Sequence, residues 1–149
     1  MQTFLPLPDL AGSVACLDDV RLGNQVYREC KTLINGGWAN HPASKMWRGY
    51  EGGLVAYALA GAYEMARRTK PNGEPKWREE VVDRWISYYD ASLHGMVVEL
   101  PPWFGDPAIH SSHRAALLHK NPEWYTQWGW EEHPAVPDEK GSLPYVWPV

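Results

Sequence analysis

The chain is 149 residues long, 44% hydrophobic and 21% charged, with a formal net charge of −4. That length suits one compact domain able to bury about two-thirds of its unfolded surface, and the acidic balance argues against binding nucleic acid through the overall field. No run of about 18 apolar residues could span a bilayer, and the start, MQTFLPLPDL, lacks the basic and apolar regions of a signal peptide, so the expectation is a single cytoplasmic, monomeric domain without membrane contact.

Residues 1–12 contain Pro6, Pro8 and Gly12 and read as extended chain. From Ser13 to Ile34 there is no proline, and Gly36 with Gly37 supplies a stop, so a first helix is expected there. On a helical wheel Leu22, Val26, Cys30 and Leu33 form an apolar stripe, Arg21, Gln25, Arg28 and Thr32 a polar one beside it, and Glu29 falls between the two. Cys16 and Cys30, both within this segment, lack disulfide or metal-ligand spacing and read as small core residues. Pro42 suits a first helical turn, and a second helix is expected from there to Arg68, ahead of TKPNGEP. Within it Gly52, Gly53 and Gly61 are poor helix formers whose use would be close approach by another helix.

A third helix is expected from Glu74 to Leu93, with Trp77, Val81, Trp85, Tyr88 and Tyr89 inward. Asp106 then caps a short helix ending near Lys120, Asn121 and Pro122 start another, and the tail from Glu131 is expected to pack irregularly through Tyr145, Val146 and Trp147. The only stretch with β period is MVVEL, so the fold class is all-α: three main helices, short C-terminal helices and an irregular Pro/Trp-rich tail.

Glu29 is the carboxylate whose position invites chemistry. An edge between apolar and polar stripes allows partial desolvation, which raises a carboxylate's pKa, while neighbouring arginines orient it; the plain alternative is an ion pair on a wet helix face. His110 and His113 share a helical face with Arg114, an arrangement suited to phosphate, to zinc through His-x-x-His, or to internal pairing. NPEWYTQWGW brings Trp124, Tyr125 and Trp128 together, either as a stacking platform for an unstacked base or as core closure. The acids concentrate in REEVVD and WEEHPAVPDEK, whereas Arg21, Arg28, Lys31, Lys45, Arg48, Arg114 and Lys120 lie elsewhere, which permits a local basic face. There is no Gly-rich phosphate loop, serine elbow or Cys/His nucleophile pattern, so an enzyme here would work by acid, base, amine or arginine.

Taken as an ordered set, LDDVRLGNQVYRE, NHPASKMWRGYE, PPWFGDPAIHSSHR and the terminal LPYVWP resemble the pyrimidine-dimer DNA glycosylase (bacteriophage endonuclease V-like) family. The resemblance implies a helical domain whose N-terminal segment threads between helices so that the chain's own α-amine reaches the active site, with no cofactor. In that family the amine attacks C1′ of a damaged nucleotide, releases the base through a Schiff base and cleaves the strand by β-elimination. An α-amine, with an ordinary pKa near 8, is partly neutral at pH 7, as a nucleophile must be.

By this resemblance Glu29 moves protons and steadies the cationic sugar, and the amine is that of Met1 or, after processing, of Gln2. Arg21, Gln25 and Arg28 would hold phosphates around a flipped nucleotide. His41, Lys45, Trp47 and Arg48, with His110, His113, Arg114, Trp124, Tyr125 and Trp128, would supply further contacts. The implied partner is double-stranded DNA carrying a damaged or modified base. The alternative is a helical nucleic-acid or protein binding module that keeps the scaffold without the chemistry.

Overall fold

Side-chain caps and proline placement set where half of the α-helices begin. Asp9 accepts from the Gly12 N–H at the head of α1, Leu10–Cys16, Pro107 follows the Asp106 cap of α7, Pro107–Lys120, and Pro122 follows the Asn121 cap of α8, Pro122–Tyr125, each supplying an acceptor for otherwise orphaned N–H groups. Between these lie α2, Asp19–Asn24, a π-helical turn, Gln25–Glu29, and α3, Cys30–Ile34, then α4, Pro42–Lys45, α5, Glu51–Arg67, and α6, Glu79–Leu93; a 3-10 turn, Thr126–Trp128, follows α8. In this computed structural model, which describes residues 1–148, the fold is all-α and MVVEL forms no strand. Among the described residues no helix is long and apolar enough to cross a membrane.

Three expected helices differ in their limits. The segment from Ser13 breaks at Leu17 and Asp18, whose backbones are extended (ψ 140° and 159°). No glycine or proline marks the break; Asp18 is buried, its N–H donating to the Tyr125 hydroxyl and its carboxylate engaging Arg21 at 3.1 Å. The segment from Pro42 divides at Gly49, which takes φ +86°, a conformation only glycine adopts without strain. The third helix starts at Glu79 rather than Glu74, because residues 69–75 form a tight turn in which the Lys70 N–H donates to the Glu74 carbonyl at 2.7 Å.

The core gathers on α5, whose Leu54, Val55, Tyr57, Ala58, Ala62 and Met65 are buried against α1, the π turn and α6. Cys16 and Cys30 are buried free thiols, and the expected stripe of Leu22, Val26, Cys30 and Leu33 is fully interior. The glycines of α5 serve close approach, though only Gly61 meets a helix: a methyl there would sit 3.0 Å from Val26. On Gly52 and Gly53 lies the extended MVVEL segment instead, with methyl positions 2.0 Å from the Val97 carbonyl oxygen and 2.6 Å from that of Glu99. A backbone contact cannot relax as a side chain can. Gly52→Ala is therefore expected to destabilise the fold by about 3 kcal/mol, at the high end of overpacking costs, read as a lowered urea midpoint.

Candidate active site

The first seven residues supply no regular element, yet Gln2 to Pro6 are buried, and a buried backbone must find partners. It finds them in side chains drawn from the whole chain. Gln25 is the central clamp, its Nε2 donating to the Gln2 carbonyl at 3.0 Å and its Oε1 accepting from the Phe4 N–H at 3.3 Å. Tyr57 donates to the Phe4 carbonyl at 2.6 Å, and Trp47 donates its indole N–H to Thr3 Oγ1 at 2.9 Å. His113 Nδ1 accepts from the Leu5 N–H at 2.9 Å, His110 Nδ1 lies 2.7 Å from the Leu5 carbonyl, and Arg114 donates to the Pro6 carbonyl at 2.7 Å. The segment is thus threaded between helices.

What this threading delivers is Met1, half-buried, at a pocket of about 180 Å³. Gln2, Arg21, Gln25, Arg28 and Glu29 line the same pocket, so six residues singled out in the sequence converge there. Glu29 ends the π turn, in which the Cys30 N–H reaches back to the Gln25 carbonyl. Such turns insert one extra residue into a helix and recur at functional sites. Here the turn allows Gln25, Val26, Glu29 and Cys30 all to be buried. Glu29 is 7% exposed; its Oε1 accepts from Arg28 Nε at 2.7 Å, and among the described residues Oε2 has no hydrogen-bond partner. Gln2 Nε2 is a buried polar atom without a partner, as is His113 Nε2.

Asn24, Phe4, Val20 and Lys120 complete the lining. Lys120 escaped the sequence reading as a site residue because it stands at the far end of α7, although its placement among the basic residues outside the acidic clusters was a usable signal. Partial burial, with Arg21 close by, lowers its ammonium below the ordinary range. Met1, Arg21, Arg28 and Lys120 thus line a pocket that also holds the Glu29 carboxylate, a locally cationic site on an acidic protein, in which Arg28 is paired with Glu29 and Arg21 with Asp18. A larger recess of about 410 Å³, which shares Val20 and Asn24 with this pocket, is lined by Asp19, Tyr27, Lys76 and Trp77 among others. Its carboxyl is already committed: against the opposing effect of burial, hydrogen bonds from Lys76 and Arg68 hold Asp19 below the usual range.

The remaining residues expected to touch DNA are placed differently. His110, His113, Trp47 and Tyr125 are at most 2% exposed and Gln25 is spent on the N-terminal segment, so the structure uses them internally. Their partners are residues remote in sequence, which is why a surface role looked plausible from local spacing. Burial, then His110 and Arg114, pushes the His113 imidazole down to about 3, which removes it as a cationic phosphate contact. Arg114 is paired with Glu132 at 2.7 Å, and its hydrogen bonds hold the Glu132 carboxyl low. Trp124 donates to the Cys16 carbonyl at 2.8 Å and lies under the Arg68 guanidinium. Lys45, Arg48 and Trp128 are exposed. His41 caps α4 by accepting from the Ala43 N–H at 3.0 Å; burial first, and then the charge of the chain's N-terminus, lower its pKa. Among the described residues no three His, Cys, Asp or Glu side chains gather as a metal site.

A family model described as pyrimidine dimer DNA glycosylase matches residues 1–79, just over half the chain. The matched stretch contains the threaded segment and Glu29 but not α7. No curated protein and no solved structure gives a significant match.

Proposed function

Because the chain belongs to the pyrimidine dimer DNA glycosylase family, we propose that it excises a damaged or modified base from double-stranded DNA and cleaves the strand with its own α-amine. The observation that carries the reading is the convergence of Met1 and Glu29 on one cation-lined pocket. The neutral Met1 amine forms a bond to C1′ as the glycosidic bond breaks and the base leaves with that electron pair. Opening of the sugar ring gives the Schiff base; removal of a C2′ proton expels the 3′ phosphate, and water then releases the amine. Glu29, buried and with one oxygen free, carries the protons between these steps and offsets the positive charge on the sugar. Arg21, Arg28 and Lys120 bind the flanking phosphates. Holding the nucleotide in such a pocket requires that it be turned out of the stack.

Borohydride reduction of the protein mixed with duplex DNA carrying a single pyrimidine dimer, or an abasic site, is expected to leave a covalent adduct at Met1, located by peptide mass. Acetylation of the α-amine should abolish the adduct. Absence of an adduct and of base release across a panel of lesions, with DNA binding intact, would identify a binding module instead.

A further inference from the structure

Trp38 combines two features that a loop residue rarely shows together. It is 57% exposed, and it is the one non-glycine among the described residues with a positive φ, +56°. A bulky residue in the left-handed region raises the free energy of the fold, and Gly36 and Gly37 stand just before it in sequence. What the conformation achieves is display of an indole, and that indole is braced from behind.

Its ring meets His41 at 5.7 Å with the planes 86° apart, a T-shaped contact, and more than half of the residue stays in solvent. His41 is backed by Trp147 at 5.8 Å, Trp147 by Tyr145 at 5.5 Å, and Tyr145 by Phe4 at 6.3 Å. Phe4 lines the pocket. A continuous run of rings thus links the pocket wall to the exposed indole, uniting the N-terminal segment, the loop after α3 and the C-terminal tail. Two electrostatic effects agree with this proximity: the chain's N-terminal charge reaches His41, and Arg21 partly opposes the burial that pushes the Tyr145 hydroxyl up to about 12. The supporting tail explains why Trp38 escapes a reading of the sequence: the rings behind His41 come from a segment more than a hundred residues away.

We propose that Trp38 is a wedge that enters the DNA stack beside the site, filling the space left by the extruded nucleotide. The proposal rests on the reading of the pocket as one for an extruded nucleotide of duplex DNA. An exposed aromatic face replaces lost base stacking without regard to sequence, apolar side chains inserted between base steps are an established means of holding a duplex open, and a rigid backing of rings prevents the indole from folding away under load. Trp38 is a positioning residue, since it touches neither the amine nor Glu29.

The test uses the full chain and a duplex with 2-aminopurine placed opposite a pyrimidine dimer, reading fluorescence on binding and borohydride trapping in the same samples. With Trp38→Ala, the fluorescence rise and duplex trapping should fall about tenfold or more, in line with stacking worth about 1–3 kcal/mol per base. Trapping on a single-stranded abasic oligonucleotide, which needs no opening, should be unchanged. Trp38→Phe should restore most of the duplex signal. Trp38→Gly should lose it as alanine does while melting no lower than the parent, because glycine adopts the positive φ freely. An unchanged fluorescence rise in Trp38→Ala, or equal losses on duplex and single strand, overturns the wedge. If no variant and not even the parent is trapped, yet the fluorescence rise is present and depends on Trp38, the wedge stands and the amine mechanism falls.

Discussion

Glu29→Gln is expected to slow base release by about 10²–10⁴-fold in single-turnover assays, the usual worth of a positioned acid or base, while leaving the protein folded. The substitution is nearly isosteric, and its carboxamide oxygen can still accept from Arg28 Nε, so the hydrogen bond now measuring 2.7 Å can survive. What is lost is charge and the capacity to take a proton, in a pocket whose lining includes three basic side chains, Met1 and this one carboxylate. Binding to undamaged duplex should be retained, because removing one negative charge from a phosphate-binding site does not weaken it. A rate within threefold of the parent, at equal melting temperature, would remove Glu29 from the chemistry and leave the family assignment standing.

Stability is expected to fall steeply as pH drops from about 6.5 towards 3, with His113 responsible for one proton's share of the slope. In the unfolded chain an imidazole takes its proton near 6.5; in the fold, burial and then the neighbouring His110 and Arg114 hold His113 down to about 3. Between those values the unfolded state binds one more proton than the native state, so folding free energy is lost at about 1.4 kcal/mol per pH unit on descent. The contribution is intact above 6.5 and is spent by about 3, a total of roughly 4–5 kcal/mol, comparable with the whole stability of many domains. The structural reason is plain: Nδ1 accepts the Leu5 N–H at 2.9 Å and so must be unprotonated. His113→Asn keeps an acceptor there and has nothing to titrate. Urea unfolding at pH 7, 5 and 4 should show a shallower acid slope in that variant, and identical slopes would assign the acid sensitivity to other groups.

Local pattern and long-range partnership divide what the sequence discloses. The apolar stripe of Leu22, Val26, Cys30 and Leu33 was legible because helical period and burial agree there, and the Asp106 and Asn121 caps because cap chemistry is local. Glu29 was legible as an edge residue. The π turn that seats it was not, since one added residue in a helix leaves no mark in composition. Gln25 sat in a polar stripe and read as a surface contact; only the Gln2 carbonyl and Phe4 N–H, brought from outside the helix, turn it inward. The break at Leu17 and Asp18 was hidden for the same reason, its stabilising hydroxyl belonging to Tyr125, 107 residues away. His110 and His113 looked like a phosphate or metal pair until the Leu5 backbone occupied both rings.

The threading of residues 2–6 also sets an order of events during synthesis. Leu5 is made before the His113 that holds it, which comes 108 residues later. At about 5–20 residues per second the segment waits on the order of 5–20 seconds before the groups that seat it are made. Contacts of such separation also slow folding in the finished chain, because a long loop must close before they form. The pocket at Met1 is therefore among the last parts of the molecule to take shape, and a nascent or truncated chain carries the ingredients of the site without the site.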